Sequence, residues 1–266
     1  METFTEDFRE LCNICIDARK TIKNLTPISI STMTIVCELN VDIDISALSS
    51  KFISPKFPHC TVSKPKGKHG KKTNFYNCTS IMYEDHSKKN IKVFKNGKLQ
   101  MTGITSKYEC FKVCVLVKNI LINTPTVINS EMTMKDNPVM EICMINTNFS
   151  INCEIDIENT LQKVLKKEDF IEYAKYDPDV YPGLKVKFVH SDNVKTSIFI
   201  FATGSIVITG SKRLKSHTIE AYSFLIDTFI SNWDTVTKNK QTSKKKEFIC
   251  NHYGYDKKDL LSYLKC

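Results

Sequence analysis

The sequence predicts an α+β protein built from two similar halves, with one long antiparallel sheet and helices on one of its faces. Three observations carry this. A hairpin-like stretch occurs twice, as Phe94-Lys95-Asn96-Gly97-Lys98-Leu99-Gln100-Met101-Thr102-Gly103 and as Phe201-Ala202-Thr203-Gly204-Ser205-Ile206-Val207-Ile208-Thr209-Gly210. Both read F-x-x-G-x-x-x-x-T-G, a strand, a Gly turn and a second strand. Similar segments precede the two copies, Ile43-Asp44-Ile45 before the first and Ile155-Asp156-Ile157 before the second. Each copy is followed by an apolar stripe at helical spacing, Val113, Leu116, Val117 and Ile120 in one half and Tyr222, Leu225, Ile226, Phe229 and Trp233 in the other. A repeat of this length points to a duplicated half-domain rather than a solenoid of short units.

Taken in order, residues 1–27 form an N-terminal helical extension, with Phe8, Leu11, Cys12, Cys15 and Ala18 at helical spacing. One Cys-x-x-Cys with no second pair reads as two apolar positions on a helix, not a metal site. Residues 28–123 form the first repeat: a strand, a short helix, more strands, then a helix over about 104–122. It is interrupted at about 51–72 by a segment with seven Lys and no acid, punctuated by Pro55, Pro58, Pro65, Gly67 and Gly70. That insertion reads equally as a solvated loop or as a phosphate contact. Residues 124–137 are a linker, and 138–236 form the second repeat, with a strand from Met140, a helix near 157–167 and a turn-rich stretch at 176–184. Residues 237–266 are a basic C-terminal tail containing Lys244 to Lys246.

Composition narrows the class. The 266 residues suffice for a full core, and the net charge of +9 favours a polyanionic partner. The 11 Cys sit in apparent core segments such as Cys37, Cys114 and Cys143 with no secretory signal before them, which reads as reduced and intracellular. No apolar run approaches a membrane span, so no membrane partner is expected. There is no P-loop, HExxH, nucleophile elbow or paired Cys-x-x-Cys site, and the six His are scattered, so neither an enzyme nor a cofactor is expected.

The hairpins say more about function. In the second, Ile198, Ile200, Ile206 and Ile208 are expected to face the helices, which leaves Phe199, Phe201 and Val207 as an apolar patch on the opposite face. A sheet with one solvated face ordinarily alternates apolar and polar residues, so this patch points to a binding surface. In the first hairpin Ile91, Val93, Leu99 and Met101 take the helix side, and the other face is mixed: Lys92, Phe94, Gln100 and Thr102.

The segment Tyr176-Asp177-Pro178-Asp179-Val180-Tyr181-Pro182-Gly183-Leu184 resembles the Y-E-P-E-L-F-P-G-L of the TATA-binding protein (TBP) family, and the two hairpins resemble that family's I-F-x-S-G-K-x-V-x-T-G. The likeness covers roughly residues 28–236 and is similar to the divergent TBP-like proteins of large DNA viruses. It implies a two-repeat saddle, a long curved antiparallel sheet with helices on the convex face. It also implies a general transcription initiation factor that binds and bends A+T-rich promoter DNA through the minor groove. Phe94 and Phe201 match the hairpin wedges that such proteins drive between base steps, Tyr181 matches the second repeat's other wedge, and Phe75 is the counterpart expected in the first. Lys98, Thr102, Phe199, Val207 and Thr209 match minor-groove positions of the hairpins. The Asn that opens each family repeat finds its place at Asn146 or Asn148 in the second half and near Ser31 or Thr32 in the first. Asp177, Asp179 and Val180 match the stirrup on which a TFIIB-like factor docks, bringing the RNA polymerase machinery. The resemblance further implies action in the host cytoplasm (a viral factory) or the virion for a viral chain, and otherwise in the nucleus. The competing reading is a protein–protein assembly platform of the same fold with weak or no sequence-specific DNA binding, favoured by Lys92 and Gln100 and opposed by the aromatic wedges.

Overall fold

The computed structural model describes residues 2–63, 77–128 and 138–238. After an N-terminal helix α1 (Glu2–Ala18), the first half runs β1 (Ser29–Glu38), α2 (Ile45–Lys51), β2 (Cys60–Val62), β3 (Cys78–Glu84), β4 (Lys88–Phe94), β5 (Lys98–Ile104) and α3 (Lys107–Asn123). The second runs β6 (Met140–Ser150), α4 (Ile157–Asn159, continued by irregular turns through 167), β7 (Ile171–Asp177), β8 (Tyr181–Val189), β9 (Lys195–Phe201), β10 (Ser205–Ser211), α5 (Glu220–Ser231) and the short α6 (Trp233–Val236). The strands form one antiparallel sheet in the order β2-β3-β4-β5-β1-β6-β10-β9-β8-β7. The order reads the same outward from the β1–β6 seam in both directions, as a duplicated half-domain requires.

The duplication reaches hydrogen bonds that no short motif reveals. The Leu39 N–H donates to the Gly97 carbonyl at 3.0 Å and the Ile151 N–H to that of Gly204 at 3.0 Å; the Asp44 N–H donates to Val127 and the Asp156 N–H to Val236, both at 2.8 Å. Asp44 and Asp156 each cap the short helix that follows, accepting backbone N–H groups two or three residues on. Gly97 (φ 75°) and Gly204 (φ 89°) occupy the left-handed region, and a Cβ there would lie 2.3 Å from the carbonyl oxygen of Val41 and of Cys153 respectively. Gly97→Ala and Gly204→Ala are therefore expected to lose stability by similar amounts, each about 2 kcal/mol or more from backbone strain plus the clash, read as equal shifts of the urea midpoint.

One core runs under the whole sheet. Ile91, Val93, Leu99 and Met101 in one half and Ile198, Ile200, Ile206 and Ile208 in the other are fully buried beneath the helices. The α3 thiols of Cys110 and Cys114 touch the Met101 sulfur, and the Tyr222 ring of α5 lies edge-on to Phe149 of β6, 4.9 Å between centroids. Met33 and Ile145, buried on this face, pair across the central seam, so both long helices lie on the same side. Helix α1 joins that layer over the second half: Leu11, Cys15 and Ala18 are buried, Glu10 pairs with Lys215 at 3.4 Å, and the Thr26 N–H donates to the Ser150 carbonyl. Lys89, fully buried, ties β4 to the start of α3 through Asp85 (2.6 Å) and Glu109 (2.9 Å). The ammonium bridging them holds both carboxyls below the ordinary range, and the two acids hold Lys89 above its own despite its burial.

Two expectations change. The segment 51–72 is not loop throughout, because Cys60–Val62 pairs with Ile81–Tyr83 as the sheet's edge strand and places Cys60 in the core. The first-half counterpart of Asn146 is Thr34, not Ser31 or Thr32. Thr34 pairs with Thr102, whereas Asn146 receives the hydroxyl of Thr209, and bulges in β1 between Met33 and Ile35 shift the phase that simple alternation assumes. The remaining residues of the insertion, most of the linker and the tail with Lys244–Lys246 lie outside the described residues.

Candidate nucleic-acid interface

The face turned away from the helices carries the partly exposed side chains of the two hairpins. In the second half Phe199 and Phe201 alternate with the buried Ile198 and Ile200, so both project from this face and are partly exposed. Tyr181, 43% exposed, completes an aromatic group: its ring lies 5.4 Å from that of Phe199 and 5.9 Å from that of Phe201. Gly183, paired in register with Phe201, leaves the space these rings occupy, since a Cβ there would stand 2.9 Å from both the Phe201 and the Tyr181 ring. Beside the group opens a concavity of about 520 Å³ lined by Tyr173, Lys175, Val180, Lys185 and Phe199, among others. The Lys185 ammonium sits 5.9 Å over the Tyr173 ring, and Lys187 donates to the Ser197 hydroxyl at 3.1 Å.

Toward the seam the face becomes small and polar. Val207 pairs with Asn148 and Thr209 bonds Asn146, so all four sit on the uncovered side. The Asn148 amide oxygen accepts from Ser29 at 2.6 Å. Across the seam Thr102 occupies the place of Thr209, and Phe94 that of Phe201. Lys98 projects from the same face and is paired with Glu38 at 2.8 Å, whose carboxylate holds the ammonium above its ordinary value. The uncovered face of the described strands thus carries Tyr181, Phe199, Phe201, Lys185 and Lys187 in the second half, Thr and Asn side chains at the centre, and Phe94, Lys92 and Lys98 in the first half.

Of the residues chosen from sequence, Phe94, Lys98, Thr102, Asn146, Tyr181, Phe199, Phe201, Val207 and Thr209 all lie on this face. Phe75 lies outside the described residues. Two residues before Cys78, the place Tyr181 takes before Gly183, the sequence has Tyr76. Asp177, Asp179 and Val180 surround the β7–β8 turn, where Asp177 lies 3.9 Å from Lys175 and Val180 is 80% exposed. Lys185 and Lys187 project from the same face, as the alternation Leu184-Lys185-Val186-Lys187-Phe188 implies.

A family model described as transcription factor TFIID, or TATA-binding protein, matches residues 140–228. Over 255 residues the chain is 33% identical to the TATA-box-binding protein-like protein of Acanthamoeba polyphaga mimivirus, covering 79% of this chain and 66% of that one. The chain is TBP-like. It is also 28% identical over 120 residues to the TATA-box-binding protein of Methanococcus vannielii, covering 45% of this chain and 57% of that protein. The chain therefore spans somewhat under two thirds of the length of these curated relatives. The solved structure of Methanococcus jannaschii TBP superposes with a TM-score of 0.53 at 20% identity, covering 77% of this chain and 98% of that one, so the TBP fold is shared. The family model falls on the half that carries the aromatic group; in the other half of this TBP-like chain, Lys92 and Gln100 stand where Phe199 and Val207 stand in the second.

Proposed function

We propose that this TBP-like chain is a transcription initiation factor that binds and bends A+T-rich promoter DNA by laying the uncovered face of its sheet in the minor groove. The observation that carries the proposal is the cluster of Tyr181, Phe199 and Phe201 on a sheet face that no helix covers among the described residues. Large rings left on such a face lack the burial that normally keeps them there, and a ligand that takes them in supplies it. The TATA-binding protein itself is the known example of apolar wedges entering base steps from the minor groove, and the position of Phe94, Phe201 and Tyr181 on the uncovered face supports the same action for them. Thr102, Thr209, Asn146 and Val207 between the wedges are small enough to let the sheet approach base edges, which for A·T pairs offer acceptors only. Lys98, Lys185 and Lys187 flank them as phosphate partners. Asp177, Asp179 and the exposed Val180 form the docking point for a TFIIB-like factor and, through it, the RNA polymerase machinery. The viral relative supports action in a viral factory or virion.

A salt-titrated shift assay on A+T-rich and G+C-rich duplexes tests this. The A+T-rich duplex is expected to bind more tightly at every salt concentration, with log affinity falling linearly against log salt. Equal affinity for both, or none, would return the chain to the protein–protein platform reading. Neutralising Lys64, Lys66, Lys68, Lys71 and Lys72 is expected to weaken binding to both duplexes alike and to flatten that slope by roughly 0.9 for each phosphate no longer neutralised. An unchanged slope assigns the insertion to plain solvation.

A further inference from the structure

The two halves carry unlike side chains at equivalent places on the uncovered face. Phe199 and Val207 are paired neighbours in β9 and β10, and the equivalent pair in β4 and β5 is Lys92 and Gln100. All four are partly exposed on that face. From this asymmetry, and resting on the minor-groove reading above, we propose that the DNA site is itself asymmetric. The second half demands A·T pairs, whereas the first accepts G·C pairs, with Gln100 as the residue that accommodates them.

The chemistry follows from what each pair shows in the minor groove. A·T and T·A present only the adenine N3 and thymine O2 acceptors; a G·C pair adds the guanine N2 amino group, a donor. Phe199 and Val207 have no acceptor to offer it, and pressing them against it buries a donor without a partner, which is heavily penalised. The amide oxygens of the neighbouring strand already accept a hydroxyl each, that of Asn148 from Ser29 and that of Asn146 from Thr209. Gln100 differs. Its amide carries a carbonyl oxygen that can accept from the guanine amino group and an NH2 that can donate to N3 or O2, so either pair can be satisfied. Lys92, paired beside it, donates only and adds an attraction indifferent to sequence. Thr102 and Thr209 are common to both halves and do not discriminate. A binder with identical halves can lie on an A+T-rich site in either direction, whereas this chain has a preferred direction, its second half over the A+T-rich end.

The test uses the full chain and three duplexes: A+T pairs under both halves, G·C pairs under one half only, and G·C pairs under both. The first two are expected to bind within a few-fold of each other and the third about tenfold or more weaker. Replacing guanine by inosine in the third, which removes only the N2 amino group, is expected to restore the affinity. The double variant Lys92→Phe, Gln100→Val is expected to lower the ratio of the two affinities, one-sided over all-A+T, by about tenfold, while the loss of the Lys92 attraction weakens both duplexes alike. Gln100→Val alone, read on the same duplexes, serves if the double variant melts early. If the one-sided duplex binds as weakly as the G·C duplex, both halves demand A·T and the asymmetry is overturned while the DNA reading stands. If all three bind alike, or none binds, the minor-groove reading itself falls.

Discussion

Replacing Phe94 and Phe201 together by Ala is expected to abolish DNA bending while leaving the melting temperature nearly unchanged. A Phe truncated inside a packed core loses about 3–5 kcal/mol. Neither ring is in that situation, since both lie on the uncovered face and are partly exposed, in contrast to Phe188 and Phe229 beneath the sheet. On that side Phe201 meets the Tyr181 ring, itself open to solvent, with centroids 5.9 Å apart. A kink needs an apolar group long enough to enter a base step, and a methyl group does not reach. Affinity is expected to fall less than bending, because the substitutions leave in place the lysines proposed above as phosphate partners. Thermal unfolding paired with end-to-end fluorescence transfer on a short A+T-rich duplex separates the outcomes. A large drop in melting temperature would make these rings core residues and reverse the assignment of faces.

Lys89→Ala is expected to destabilise the helix side by roughly 3 kcal/mol. Its ammonium is fully buried and joins Asp85 and Glu109, so removing it leaves two carboxylates close together without their shared cation. Loss of one partner from a buried pair typically costs about 3–5 kcal/mol; both acids here keep some contact with water, which puts the expectation at the lower end. Adding Asp85→Asn and Glu109→Gln to the same chain is expected to recover a substantial part, because the repulsion goes with the charges. Urea midpoints of the single and triple variants measure this. A midpoint unchanged in Lys89→Ala would mean the pairing contributes nothing to the attachment of α3.

The face assignment of both hairpins was legible because strand alternation has a period of two and a one-residue slip would exchange every side chain. With Ile198, Ile200, Ile206 and Ile208 under the helices, Phe199, Phe201 and Val207 had one place to go. The symmetric strand order was legible from the repeat for the same reason. What escaped was set by pairing between distant strands. Thr34 rather than Ser31 or Thr32 answers Asn146 because bulges in β1 alter its phase, and a bulge leaves no mark in a single sequence. The edge strand Cys60–Val62 is three residues long between prolines and lysines, too short to show a period. Nor does α1 announce that it covers the second half, since its apolar stripe says that one face is buried without saying against what. The lysines of β8 were legible from the alternation of Lys185 and Lys187 with Leu184, Val186 and Phe188.

The measurement that bears most directly on the uncovered face is groove competition on an A+T-rich duplex bound by the intact chain. Netropsin fills the minor groove and methyl green the major one. Netropsin is expected to displace the protein in proportion to its occupancy of the duplex, and methyl green to leave the complex intact. Displacement by methyl green with indifference to netropsin would contradict minor-groove binding and, with it, the action of Phe94, Tyr181 and Phe201 as wedges.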